Sequence, residues 1–332
     1  MKAGKLSQTI WRRAVQKQLH IDQKELFLFP SQEENCAAIR GKDGQVVFSA
    51  SAAVYGNAPQ VGTYAVIKAV NDLASRGGTP TGVSVQFLLP SRIEEAQLAE
   101  SICETEKICA EMGILLAGIQ AEVSPAQRQT TIQVFVSGSA AESELRCLTG
   151  IVPGQEIFLC GYVGLEGTLR ILDECKEELK ERFAPVFLRQ AAAQKKQLIR
   201  LPQLSFPAGS VTAIQQIGSG GILGALWEVA EAADVGLWLD MSAMCIRQET
   251  VEICEYYRLN PYQMTSAGSF LLITKDGELL QKKLEEMGIR AGKLGRTTAG
   301  RARVIRNGEE ERFLDRPAPD ELARWWEERL FI

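Results

Sequence analysis

Apolar residues along the chain follow two rhythms, one of period near 3.6 and one of period 2. Residues 5–19 read as a helix. Short strand candidates follow at 25–30, 36–40 and 45–50, with a turn at Gly41-Lys42-Asp43-Gly44 between the last two. Residues 60–76 place Val66, Ala69, Val70 and Leu73 at helical spacing, and Gly77-Gly78 stops the pattern. A strand is predicted over 81–89, closed by Pro90. The helix over 94–112 puts Leu98, Ile102, Thr105, Cys109 and Met112 on one face, with Gly113 after its end. Strands follow at 114–119 and 129–138.

The rhythm breaks at Gly150-Ile151-Val152-Pro153-Gly154, a Gly/Pro punctuation between two folded patterns. It sets the expected domains at 1–150 and 151–332. The second half opens with the strand EIFLCGYVG. Helices are predicted over 165–174, 176–200, 221–233, 247–258, 276–286 and 319–329. Strands are predicted over 235–239, 269–274, 290–295 and 302–306, and Asn307-Gly308 signals a turn. No internal repeat is visible.

Composition narrows the function classes. At 332 residues the chain is long for one core and comfortable for two. A net charge of −4 gives no basic footprint for nucleic acid. No apolar run approaches the roughly 20 residues that cross a bilayer. The start MKAGKLSQTIWRRAVQKQ has no apolar segment after its charges, so it is not a signal peptide. The expectation is a cytoplasmic protein with no membrane or nucleic-acid partner. Eight cysteines show no C-x-x-C spacing and read as small buried hydrophobes. The single histidine, His20, lies at the end of the first helical pattern between Leu19 and Ile21-Asp22, as a cap or surface residue. Any chemistry must therefore rest on carboxylates, amides, lysines, arginines and backbone.

Four stretches are candidates for that chemistry. In Ile214–Glu228 (IQQIGSGGILGALWE) a Ser-Gly-Gly runs into an apolar helix, with Ser219 a candidate N-cap. It contains neither G-x-x-x-x-G-K-[ST] nor G-x-G-x-x-G, so close packing of the helix is expected ahead of phosphate contact. In Val70-Asn71-Asp72-Leu73, Asn71 and Asp72 offer hard oxygen ligands for Mg²⁺. Lys68 and Arg76 lie four residues to either side of Asp72, and that spacing predicts a surface ladder of ion pairs. Gly118-Ile119-Gln120-Ala121-Glu122 puts a carboxylate at a strand end, where solvation is the plainer reading. Glu166, in Gly164-Leu165-Glu166-Gly167-Thr168, is accounted for by a helix N-terminus.

In this order and at these separations the stretches resemble the PurM-like superfamily of aminoimidazole ribonucleotide (AIR) synthetase. That superfamily includes the hydrogenase maturation protein HypE, selenophosphate synthetase and thiamine-monophosphate kinase. The HypE-like, AIR synthase-related branch is nearest. The matching pieces are AGKL, NCAAI, VNDLASRGGTP and GIQAEVSP in the first half. In the second they are VGLEGT, SGGILGALWEVAEAADVG, ETVEICE, LNPYQMTSAGSFLL and GIRAGKLG. The resemblance implies a two-domain α+β fold. The N-terminal sheet would pair with a copy of itself in an intersubunit barrel, so the chain is expected to be a homodimer. It further implies ATP and Mg²⁺ in a cleft associated with that dimer, and phosphoryl transfer to an oxygen. Carried over residue by residue, nucleotide contacts fall on Asn71, Asp72, Gly118, Glu122, Ser219, Gly220 and Gly221, and metal contacts on Asp72 and Glu122.

The departures bear on activity. Where the family usually has G-D/E-D-A-A, this chain has Glu34-Asn35-Cys36-Ala37-Ala38. Where it has S-T-D, this chain has Ser49-Ala50-Ser51. Where it has H-D before the second-domain glycines, this chain has Gln215-Gln216. Acidic positions are thus held by Cys36, Ser51 and Gln216, which weakens an Mg²⁺ site. HypE carries its substrate group on a C-terminal cysteine, whereas this chain ends WWEERLFI, so carbamoyl-to-cyanide chemistry is not expected. Two readings stand. One is an ATP-dependent phosphoryl-transfer enzyme with a reduced metal site. The other is a non-catalytic homodimeric homologue that binds a nucleotide, metabolite or protein.

Overall fold

The computed structural model describes residues 3–20, 23–204, 206 and 209–330. The chain enters through a short helix, α1 (Gln8–Ala14), which has no fully buried residue and keeps Ile10 and Trp11 partly buried. The next strands are β1 (Cys36–Arg40) and β2 (Gln45–Gly56). In β2 buried and exposed residues alternate along the strand, as on a sheet with one covered face. The chain continues through α2 (Val61–Ser75), β3 (Thr79–Leu89), α3 (Glu95–Met112), β4 (Leu115–Val123) and β5 (Thr130–Ala141). A capping box of Glu94 and Gln97 starts α3, and Gly113 ends it with φ of 69°. The sheet order is β1-β2-β5-β3-β4, antiparallel except for the parallel β3–β4 pair. Helix α2 covers one face, where Phe48, Val54, Val66, Leu73, Phe87 and Ile132 form the core.

The second half builds a seven-stranded sheet. Its elements in chain order are β6 (Glu156–Cys160), α4 (Leu165–Glu174), α5 (Lys176–Arg182), α6 (Pro185–Ala193), β7 (Ala213–Gln216), α7 (Gly221–Ala233) and β8 (Gly236–Asp240). Then come α8 (Gln248–Tyr257), β9 (Phe270–Thr274), α9 (Gly277–Glu286), β10 (Ala291–Thr298), β11 (Arg303–Asn307), β12 (Glu310–Phe313) and α10 (Glu321–Leu330). The sheet runs β12-β11-β8-β10-β6-β9-β7, antiparallel except where β11 joins β8. The protein is therefore a mixed α+β molecule of two domains. Among the described residues no helix is long and apolar enough to cross a membrane.

Several expectations need correction. The strand at 25–30 is absent. A 3-10 turn occupies Gln23–Glu25, and only Leu26 makes a bridge, to Ile39. The first helix spans Gln8–Ala14, with a 3-10 turn over Gln16–Gln18, rather than 5–19. The helix over 176–200 breaks at Phe183 and Ala184, both extended, because Pro185 disfavours helical backbone before it and starts α6. Two short strands were missed. Strand β7 is buried at all four positions and has no alternation to read. Strand β12 is exposed at all four, and the Asn307-Gly308 turn was its one signal. His20 is exposed, while its neighbours Ile21 and Asp22 lie outside the described residues.

Candidate functional site

Every residue of α2 except Lys68 is buried. A helix enclosed on all sides must match its polar groups with partners. One side of α2 meets the first sheet, and the other meets β7 and the segment around Leu201. The predicted surface ladder around Asp72 is therefore overturned. Asp72 is 3% exposed, and each of its carboxylate oxygens has a partner inside the protein. Lys68 Nζ lies 3.2 Å from Oδ2, and Gln216 Nε2 donates to Oδ1 at 2.7 Å.

The orientation of the Gln216 amide is set by its surroundings. Its Oε1 accepts from the backbone N–H of Gly268 at 3.2 Å, and a backbone N–H can only donate. Nε2 must then face Asp72, and it also donates to Lys68 O at 3.0 Å. Asn71 is fixed in the same way. Its Oδ1 accepts from Leu201 N–H at 2.8 Å, and its Nδ2 donates to Ile199 O at 2.9 Å and to Gln216 Oε1 at 3.2 Å.

A second network lies one turn along. Arg76 does not complete a ladder with Asp72 but turns to Glu34, its Nε 2.7 and 2.9 Å from the two carboxylate oxygens. Nη1 donates to Ile214 O at 2.7 Å and Nη2 to Gln215 Oε1 at 2.9 Å. Gln215 Nε2 passes the chain on to Glu228 Oε2 at 2.9 Å, and Lys5 holds Glu228 Oε1. Ile214, Gln215 and Gln216 are thus the residues by which β7 grips α2 and its C-terminal turn.

The electrostatics follow from burial and pairing. Burial opposes the Lys68 charge, but the adjacent Asp72 carboxylate outweighs it and raises the ammonium pKa, so Lys68 stays charged. Burial lifts the Glu34 carboxyl against the attraction of Arg76. The Cys36 thiol is pushed up to about 12 by burial and then by Glu34, so it is no thiolate ligand at neutral pH.

An open cavity of about 760 Å³ lies beside these groups, lined in part by Glu34, Cys36, Ser49, Ser51, Lys68 and Asp72. The structure thus brings together Asp72 with Cys36 and Ser51, two of the positions where the resemblance implies acids. It does not bring Glu122 or Gly118 to them. On β4, the edge strand farthest from β1, Glu122 is in register with Leu88 and Gly118 with Ser84, so although they share the outer face with Ser51 they lie outside the cavity. Glu122 is exposed. A Cβ at Gly118 would lie 3.3 Å from Ser84 Oγ, a crowding that a small shift of the exposed serine relieves.

Ser219, Gly220 and Gly221 lead into α7. Ser219 is not its cap. Gly220 occupies that position with φ of 88°, and its N–H donates to Asp320 Oδ2 at 2.8 Å. Asp320 also accepts from Leu322 N–H at 2.9 Å, so one carboxylate serves the starts of α7 and α10. Gly221 shows the expected close packing, because a Cβ there would sit 2.4 Å from Tyr262 O.

Mg²⁺ does not fit Asp72 as placed. Both oxygens carry protein donors, one of them a lysine, and an amide N–H points where a metal would have to approach. Among the described residues no group of three or more His, Cys, Asp or Glu is placed to hold a metal ion. Glu166 was accounted for by a helix N-terminus, yet it is 2% exposed. It pairs with Arg170 at 3.2 Å, while its Oε2 is buried without a hydrogen-bond partner. Sequence reasoning missed Glu34, and took Lys68 and Arg76 for surface charges. The available signal was a helix with small or apolar residues at nearly every other position, which has no wet face to put them on.

Comparison with known proteins gives consistent matches. Residues 33–140 match the family model for AIR synthase related protein, N-terminal domain, and residues 152–307 match its C-terminal domain. A protein of Methanocaldococcus jannaschii named for hydrogenase expression/formation is 23% identical over 337 residues, covering 97% of this chain and 96% of its own. Carbamoyl dehydratase HypE of Rhodobacter capsulatus is 24% identical, covering 74% of this chain and 72% of its own. Among solved structures, HypE in complex with ATP has a TM-score of 0.69 at 17% identity, covering 96% of this chain and 94% of that one. AaThiL complexed with AMPPCP and TMP also has a TM-score of 0.69, at 15% identity, covering 93% and 96%. At these identities the solved structures establish the fold.

Proposed function

The chain belongs to the AIR synthase-related family, and on that premise we propose that it is a non-catalytic, homodimeric member that binds a nucleotide or related anionic metabolite without Mg²⁺. The observation that carries this reading is the hydrogen bond from Gln216 Nε2 to Asp72 Oδ1 at 2.7 Å, with Lys68 on the other oxygen. A divalent ion at this carboxylate would meet the Lys68 ammonium and the Gln216 N–H at close range, and would have to displace at least one of them. Lys68 keeps partial exposure and lines the 760 Å³ cavity. Its fixed charge can meet a phosphate there as a metal would, but it cannot polarise a γ-phosphoryl group between two oxygens as a bridging ion does.

On this reading residues 1–150 supply the dimer sheet and the cavity, and residues 151–332 set its charge from behind, through Gln216 on Asp72 and Gln215 on Arg76. Asn71 positions Gln216 instead of touching a ligand. Ser219, Gly220 and Gly221 set the close approach of α7. The second copy covers the outer face of the first sheet, where Phe135 is 44% exposed and Gly118 and Glu122 lie. A monomer in light scattering at micromolar concentration would refute that part.

The competing reading, an ATP-dependent phosphoryl-transfer enzyme, draws on the buried Glu166 Oε2 that lacks a partner. Thermal shift with ATP and a phosphate-release assay separate the two. The binder reading expects equal stabilisation in EDTA and in Mg²⁺, loss of it in Lys68→Met, and no phosphate released. Mg²⁺-dependent release that disappears in Asp72→Ala would establish the enzyme. No stabilisation at millimolar ATP would remove the nucleotide and leave a metabolite- or protein-binding scaffold.

A further inference from the structure

A second cavity, of about 520 Å³, lies apart from the α2 site. Its floor is the start of α7, with Ser219, Gly220 and Trp227. One wall is the segment Arg316–Pro319, and the roof is the N-terminal segment Lys5–Ile10. The volume suits a small organic ligand and far exceeds what a few waters fill.

The roof is attached in an unusual way. No residue of α1 is fully buried, and Ile10 and Trp11 are only partly so, which makes it less firmly packed than the helices of the two cores. Two ion pairs help fasten it to α7, beside a Gln8 hydrogen bond to Glu231. Lys5 Nζ meets Glu228 Oε1 at 2.5 Å, and Arg12 Nη2 meets Glu231 Oε1 at 2.9 Å. The lid-side partners are open to water, with Lys5 31% and Arg12 59% exposed. Gln32 adds a hydrogen bond to Leu6 O. Gly4, at φ of 102°, packs against Asp320 and Ala323 at the start of α10 and marks where the segment is anchored. The acceptors Glu228 and Glu231 are themselves held, by Gln215 and by Arg303, so α7 is the fixed side.

We infer that residues 5–14 form a lid over this chamber, closed by the Lys5–Glu228 and Arg12–Glu231 pairs and able to open while the rest of the fold stays intact. Exposed pairs of this kind are weak and salt-sensitive. Losing both should raise the open population about tenfold, without crossing the barrier to global unfolding. The AGKL motif thereby acquires a role, because its Lys5 docks on Glu228 of the second-domain motif.

Amide hydrogen exchange followed by mass spectrometry tests the lid on the full chain. Exchange over 5–14 should speed about tenfold in 0.5 M NaCl, and likewise in the Lys5→Ala/Arg12→Ala double variant at low salt. Protection in α2 and α7, and the Tm, should be unchanged. The conservative Lys5→Arg/Arg12→Lys variant should keep wild-type protection. The lid is overturned if exchange over 5–14 ignores both salt and the double variant. It is equally overturned if protection there is lost only together with that of α7, because the segment would then be part of the global folding unit.

Discussion

Replacing Gln216 by glutamate changes one atom group and almost no volume, and it reverses the polarity of the contact that defines the site. The Nε2 donor to Asp72 Oδ1 at 2.7 Å becomes a carboxylate oxygen facing a carboxylate oxygen. Two unit charges at that distance repel by about 6 kcal/mol at an effective dielectric constant near 20. Taking up a proton is cheaper. Protonating a glutamate of pKa about 4.3 at pH 7 costs about 4 kcal/mol, so the folded variant holds one proton between the pair. Lys68, 3.2 Å from Asp72, offsets part of that cost. The expected loss of stability at pH 7 is about 3 kcal/mol. The folded pKa of the new group lies above its unfolded value, so its penalty vanishes below about pH 4.3 and grows as pH rises toward the folded pKa. Urea unfolding of both proteins from pH 4.5 to 7.5 reads this directly. The same variant gains a second carboxylate at the site, and millimolar Mg²⁺ should restore its stability while leaving the parent unaffected. A Gln216→Glu protein as stable as the parent at pH 7, with a difference flat in pH, would refute the placement of Gln216 against Asp72.

Arg76→Leu strands Glu34 in a buried position and removes the bonds to Ile214 O and Gln215. It should cost about 3–5 kcal/mol at pH 7 in chemical denaturation, and less near pH 4.5, where Glu34 takes a proton. Gly221→Ala must accept a positive φ and a Cβ 2.4 Å from Tyr262 O, whereas Gly220→Ala faces nothing closer than 3.7 Å. Gly220→Ala should therefore cost only about 1–2 kcal/mol in Tm-derived stability, and Gly221→Ala clearly more or the fold itself. Burial raises the Asp320 carboxyl from 3.8 to about 6, so its stabilising contribution is complete at low pH and is lost as pH rises through 6. The stability gap between the parent and Asp320→Asn should narrow by roughly 3 kcal/mol from pH 4 to pH 7.5, two pKa units at about 1.4 kcal/mol each.

The two domains and most long elements were legible because their patterns are local. In α3 the capping box, the apolar face and Gly113 all point to the same boundaries, and in α7 the glycines and the packed face do the same. Where a boundary depended on tertiary support, periodicity failed. Strand β7 is covered on both sides and β12 on neither, so neither alternates. The site shows the same limit at the level of single residues. The sequence indicated that acids were absent at Cys36, Ser51 and Gln216. It did not indicate that Lys68 and Gln216 both bond to Asp72, or that Arg76 joins Glu34 and Gln215 in a separate network. An i,i+4 spacing of Lys68, Asp72 and Arg76 describes a ladder only on a wet helix face. Here the second domain lies over that face, so the same three residues are distributed between two buried networks.

On the proposed reading Lys68 and Gln216 stand at Asp72 in place of a metal. Isothermal titration of the purified protein with ATP, once in EDTA and once in excess Mg²⁺, addresses it most directly. Binding of equal affinity in both buffers, abolished by Lys68→Met, is the predicted result. Binding that appears only with Mg²⁺, and that is lost in Asp72→Ala, would contradict it.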